Sequence, residues 1–297
     1  MPDRGPCGVA MRLGRYAPWL WLFPAGALLI PFFLIPLCVV VRDSFYREDP
    51  VRFLIPDFTF ANYARVLGDR YYLTVFGNTL LIALVISVIA LIIAVPFAQY
   101  VARSTGKQRA LLLWIIYLPL YVSVIMRAFG WMVITADSGL INSTLMSLRL
   151  IGQPIKLLFE VEGMTLAMLH RYLPLMIIPI VTTLQKLDRD LLKASANLGG
   201  SRWYGWRRIV LPMAIPGMVG GTQLVFAGVL SDYVLPSLTG TTRFPMVAPV
   251  IFYEAATNGA WATASAMGTL VLVVVALFLI ISSLAVRRLM PWQRAVQ

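Results

Sequence analysis

Four stretches of this 297-residue chain run long with almost no charge, and they decide what it can fold into. Residues Tyr16 to Val41 and Val75 to Ala102 contain no charged side chain at all. Met213 to Pro236 carries only Asp232, and Trp261 to Val286 carries none. A helix rises about 1.5 Å per residue and the hydrocarbon core is about 30 Å thick, so roughly 20 apolar residues cross it. Two more stretches qualify with one interruption each. Ala110 to Ala136 contains Arg127, and Gly163 to Gln185 contains the pair His170 and Arg171. Six crossings are expected. Hydrocarbon offers backbone groups no partner, so runs of this length must be helices, and the shorter alternating segments of a barrel are absent. The expected class is an all-α integral membrane protein. Pro24, Pro31, Pro36, Pro96, Pro119, Pro174 and Pro179 fall inside the runs and are expected to bend them.

Composition agrees: 59% of the residues are hydrophobic and 13% charged, against about 25% charged in a soluble domain. The net charge of +12 would point to nucleic acid in a soluble protein. In a membrane protein the placement of the bases matters instead, and nucleic acid is not expected as a partner. Lys and Arg collect on the cytoplasmic side. The N-terminal tail holds Arg4, Arg12 and Arg15, and the segment after the second run holds Arg103, Lys107 and Arg109. The segment after the fourth run holds Lys186, Arg189, Lys193, Arg202, Arg207 and Arg208, and the tail holds Arg287, Arg288 and Arg294. The alternate segments balance their charges: residues 42–74 carry five Arg and five acids. Both termini are therefore expected to be cytoplasmic. The first run exceeds the roughly 7–15 residues of a signal-peptide core, so it reads as a retained anchor. Trp19, Trp21, Trp114 and Trp261 lie near run ends, where interfacial anchors are expected.

Several chemistries are not expected. The sequence has no GxxxxGK[ST] phosphate loop, so ATP hydrolysis is not expected of this chain. Its single histidine has no partner at ligand spacing, so no metal site is expected. Cys7 and Cys38 are too few for a disulfide framework. No nucleophile and base are paired, which speaks against an intramembrane enzyme.

The basic segment between the fourth and fifth runs reads LDRDLLKASANLGGSRWYGWRRIVLP from Leu187 to Pro212. Lys186 to Asn197 is expected to form a short helix, with Asp188 and Asp190 at its start and Gly199 and Gly200 as its stop. Ala194, Ser195 and Ala196 give it a small-residue surface that another protein can approach. Here the chain resembles the permease subunits of binding-protein-dependent ABC importers. Their cytoplasmic motif reads roughly E-A-A, three residues, G, nine residues, I-x-L-P. Ala194 and Ser195 match the alanines, Gly199 the glycine, and Ile209, Leu211 and Pro212 the ending, while Lys193 stands in place of the Glu. Further likeness, to the spermidine/putrescine class of these permeases, lies in Leu118–Met132, Ser138–Asn142, Gly152–Pro154, Asp232–Pro236 and Asn258–Ala266.

The resemblance implies a type I (MetI-like) importer fold of six helices in the bacterial inner membrane. A permease domain would occupy 61–290 with its coupling helix at about 187–200, preceded by a tail, first helix and start of a periplasmic segment in 1–60 and followed by a tail at 291–297. It implies as partners a second permease, two copies of an ATPase that bind ATP and Mg, and a periplasmic solute-binding protein. The chain itself is expected to bind no cofactor. For the solute path the candidates are Arg127, Asp232 and Tyr233. Asp232 with Tyr233 would suit a cationic amine, whereas Arg127 would suit an anionic or zwitterionic solute. Asp232 has a second reading, as a cap at the end of the fifth run or an ion-pair partner of Arg127 or Arg171. His170 and Arg171 are expected as interface anchors, and Tyr253 and Glu254 as contacts for the binding protein. The rival classes are an ion-driven secondary transporter and a non-transporting scaffold.

Overall fold

The computed structural model describes residues 24, 26–49, 53–188, 190–241 and 243–289. Cys7, Trp19, Trp21, Arg4, Arg12, Arg15, Arg189 and Arg294 lie outside these residues. In chain order the elements are helix α1 (Gly26–Asp43), strands β1 (Tyr46–Asp49) and β2 (Phe53–Phe58), then helices α2 (Ala61–Gly68), α3 (Arg70–Arg103), α4 (Gly106–Tyr121), α5 (Val124–Thr135) and α6 (Leu140–Ser147). There follow α7 (Val161–Gln185), α8 (Asp190–Asn197), α9 (Arg202–Leu230), α10 (Val234–Thr239), α11 (Val247–Ala256) and α12 (Trp261–Leu289). Among the described residues six helical stretches are long and apolar enough to cross a bilayer.

The third of these is Val124–Ser147, over α5 and α6, and not the expected single rod over Ala110–Ala136. That expected run is broken at Val122 and Ser123, whose backbone is extended, into α4 and α5. Pro119 lacks an N–H and its ring crowds the carbonyl of Ile115, so the last turn of α4 is already weakened. The fifth run also breaks, at Ser231–Tyr233, before the short α10. Pro212 falls inside α9 without stopping it. The five residues before Leu211, Trp206–Val210, form a wider π turn, which accommodates the missing bond and the ring.

The core lies between α3, α7 and α9. Lipid supplies no hydrophobic force to hold such helices together, so they depend on close backbone approach and interhelical hydrogen bonds. Gly217, Gly221 and Gly228 provide the approach on the face of α9 toward α7. A Cβ at these positions would sit 2.5 Å from the Pro179 carbonyl oxygen, 2.8 Å from Met176 Sδ and 2.4 Å from the Tyr172 ring. Gln223 supplies a polar tie, donating from Nε2 to Ser282 Oγ of α12 at 2.7 Å.

The strands were not expected in an all-α chain. They pair antiparallel, Asp49 opposite Phe53 and Tyr46 opposite Phe58, with a bulge after Tyr46. Arg65 of α2 donates to Glu48 of the hairpin and to Thr263 of α12, fastening the hairpin to the bundle. This hairpin and the 231–260 segment occupy one end of the bundle, hereafter the hairpin end. The turn at 104–105 and the whole of α8 occupy the other, the loop end.

Candidate functional site

At the loop end, α8 starts at Asp190 and stops before Gly199, whose φ of +82° is a left-handed conformation that glycine adopts without strain. Lys193 Nζ donates to Asp190 Oδ1 at 2.7 Å, three residues back. Both side chains are exposed, so this pair contributes little to stability. Leu192 and Ser195 turn toward the protein: Leu192 packs against the core, and the Ser195 hydroxyl lies under Gly200, where a Cβ would meet it at 2.7 Å. Leu191, Ala194 and Leu198 turn outward at spacing i, i+3, i+7. Leu198 is 89% exposed and Leu191 48%. This apolar stripe borders an open hollow of about 770 Å³ lined also by Gly199, Tyr204, Arg208 and Ile209.

The predicted residues Ala194, Ser195, Gly199 and Ile209 thus meet at one place. Ala196 is exposed beside them, and Leu211 and Pro212 lie half-buried where α9 leaves the π turn. The loop is held to the bundle by Trp206, whose Nε1 donates to Gln99 Oε1 of α3 at 2.9 Å, with Trp203 stacked on Trp206 at 4.8 Å. The Leu191–Leu198 stripe and the Gln99–Trp206 tie were missed in the sequence. The stripe was legible from its helical spacing, whereas the tie joins residues 107 apart.

A second cluster lies inside the bundle toward the hairpin end. Asp232 sits at the break between α9 and α10 and is 4% exposed. Its Oδ1 accepts from the backbone N–H groups of Val234 (3.1 Å) and Leu235 (3.4 Å), capping α10. Its Oδ2 takes Arg171 Nε at 3.5 Å and lies 3.1 Å from the Tyr172 hydroxyl. That hydroxyl also lies 2.7 Å from the Gly228 carbonyl oxygen, so one proton serves both acceptors. The cap and the ion pair with Arg171 are both present at Asp232.

Arg171, expected as an interface anchor, instead points inward to this carboxylate. Its neighbour His170 points about 100° away around the helix and accepts from Trp131 Nε1 of α5 at 3.3 Å. Arg127 of α5 joins the cluster, near enough to interact electrostatically with Arg171, Asp232 and His170. Its Nε and Nη1 are buried and bonded to nothing among the described residues, as is Arg171 Nη1. Tyr233 faces elsewhere, its ring 4.9 Å from that of Phe252 on α11.

The two residues expected at the binding-protein surface part company. Tyr253 is 54% exposed, but Glu254 is 8% exposed. Its carboxylate accepts from the Tyr72 hydroxyl at 2.9 Å and Asn258 Nδ2 at 2.8 Å, locking α11 to α3. Among the described residues no group of three or more His, Cys, Asp or Glu side chains is placed to hold a metal.

Six apolar crossings, broken helices at a buried ionic cluster and a small exposed helix at one end define a multi-pass transport permease. The chain belongs to the family described as binding-protein-dependent transport system inner membrane component, whose model matches residues 94–294. Its members are permease subunits of ABC importers, not enzymes. The chain is similar to the spermidine/putrescine transport system permease protein PotB of Escherichia coli (strain K12), 28% identical over 85% of this chain and 92% of that protein. It is also similar to the inner membrane ABC transporter permease protein YdcU of the same organism, 30% identical over 82% of this chain and 81% of that protein. A bacterial ABC transporter involved in the import of the acidic polysaccharide alginate has a chain with the same fold (TM-score 0.73, 16% identity, 94% of this chain and 98% of that one).

Proposed function

We propose that this chain is one of two permease subunits of an ATP-driven importer, with α8 as the helix through which the motor acts. A solute-binding protein delivers a small organic solute, an amine or amino-acid derivative, at the hairpin end, which faces the periplasm. Two ATPase subunits bind ATP and Mg at the loop end, which with both termini faces the cytoplasm. Closure of the ATPases moves α8, and α8 moves α7 and α9 on either side of it.

One observation carries this reading: Leu191, Ala194 and Leu198 form an exposed apolar stripe at a helix flanked by basic segments. Leaving Leu198 in water forgoes about 1.5–3 kcal/mol that burial in a partner would recover, and the half-exposed Leu191 about half as much. Replacing Leu198 with Glu is expected to abolish co-purification of the ATPase while the permease still folds, since Leu198 touches no core. Undiminished co-purification would refute the docking role. An ion-driven carrier has no use for such a stripe and needs intramembrane carboxylates to carry its ions. Among the described residues Asp232 is tied to Arg171, Tyr172 and the start of α10.

The identity of the solute divides two ways. Likeness to PotB favours a cationic amine. The unbonded donors of Arg127 favour an anionic or zwitterionic one.

A further inference from the structure

We propose that Arg127 and Arg171 form a site for a carboxylate group, so that the transported solute bears a carboxylate beside any amine. This rests on the importer reading above and narrows its solute class.

A carboxylate offers about four acceptor positions on its two oxygens. In Asp232, Oδ1 accepts from the Val234 and Leu235 N–H groups, while Oδ2 accepts from the Tyr172 hydroxyl and pairs ionically with Arg171 Nε at 3.5 Å. Arg127 Nε and Nη1 make no bond to it. Two guanidinium groups therefore share one carboxylate, leaving one positive charge and three buried N–H-bearing atoms, Arg127 Nε and Nη1 and Arg171 Nη1, without acceptors. Guanidinium stays protonated at any physiological pH, and unpaired buried donors are costly. What completes the cluster is an acceptor of one negative charge.

A carboxylate has that charge and the planar geometry guanidinium favours; a phosphate dianion would overshoot by one. A diamine would meet a net positive cluster whose one carboxylate is already covered. The cluster opens to the surface of the chain at Arg171, whose side chain is 27% exposed. Trp131, one helical turn beyond Arg127 and bonded to His170, is positioned to report occupancy.

The test uses the assembled importer, permeases with their ATPase, purified in detergent. Sodium acetate and putrescine dihydrochloride are titrated separately at constant ionic strength while tryptophan emission is followed. Acetate is expected to give a saturable change that putrescine does not. The change should vanish in W131F, weaken roughly tenfold or more in R127Q, and survive with weakened affinity in R127K. R127K also keeps the test open if R127Q does not fold. Absence of a saturable change, its persistence in W131F, an unaltered response in R127Q, or an equal response to putrescine would each overturn the proposal. ATP hydrolysis by the same preparation separates the two readings: an active ATPase with no acetate response defeats the site alone, whereas a permease that recruits no ATPase defeats the importer reading.

Discussion

Asp232 shows how one side chain holds three elements. Its carboxylate caps α10, neutralises Arg171 of α7 and meets the Tyr172 hydroxyl beneath Gly228 of α9. Replacing it with Asn keeps the shape but leaves two guanidinium groups in a buried cluster with no counter-charge. The D232N permease is expected to lose roughly 2 kcal/mol, the scale of hydrogen bonds to charged groups, read as a lowered thermal midpoint of the purified complex. An unchanged midpoint would show that Asp232 is dispensable to the fold and free to serve the solute. From the sequence its cap and ion-pair roles were conceivable, because Asp232 precedes a Pro-containing segment near the end of a run. The choice of Arg171 was not legible, since adjacent residues of one helix, His170 and Arg171, diverge by about 100° and only packing fixes which faces inward. Glu254 was misplaced for a like reason: Tyr72, 182 residues away, removes it from the surface.

Among the elements, α7 and α9 depend on glycines for their contact. In G228A the new methyl group would lie 2.4 Å from the Tyr172 ring, forcing the ring and its hydroxyl away from Asp232. Overpacking of this kind costs about 1–3 kcal/mol, and G228A is expected to lower the yield and melting midpoint of the complex. Wild-type behaviour would mean that the two helices separate without penalty. Runs without charge located most crossings because the bilayer imposes length and composition together. The break at Val122–Ser123 escaped notice because proline alone does not decide it. Pro96, Pro174 and Pro179 lie inside helices that continue, while the chain after Pro119 does not. The hairpin was equally hidden: its strands hold one base against three acids, Pro56 within β2, and no clean alternation. By contrast α8 was legible to within a few residues, because two glycines and two aspartates mark its ends locally.

At the scale of the whole molecule, the family match over 94–294 makes the chain a multi-pass permease subunit whose fold is shared with a chain of the alginate importer, and the proposed action of a motor through α8 belongs to this scale. The most direct measurement places a single cysteine at position 194, as A194C in a chain whose Cys7 and Cys38 are replaced by Ser. A membrane-impermeant maleimide is then applied to right-side-out and inverted vesicles, with and without the ATPase. Labelling is expected only in inverted vesicles, and suppressed when the ATPase is assembled. Labelling from the outer side, or labelling indifferent to the ATPase, would contradict a motor acting through α8.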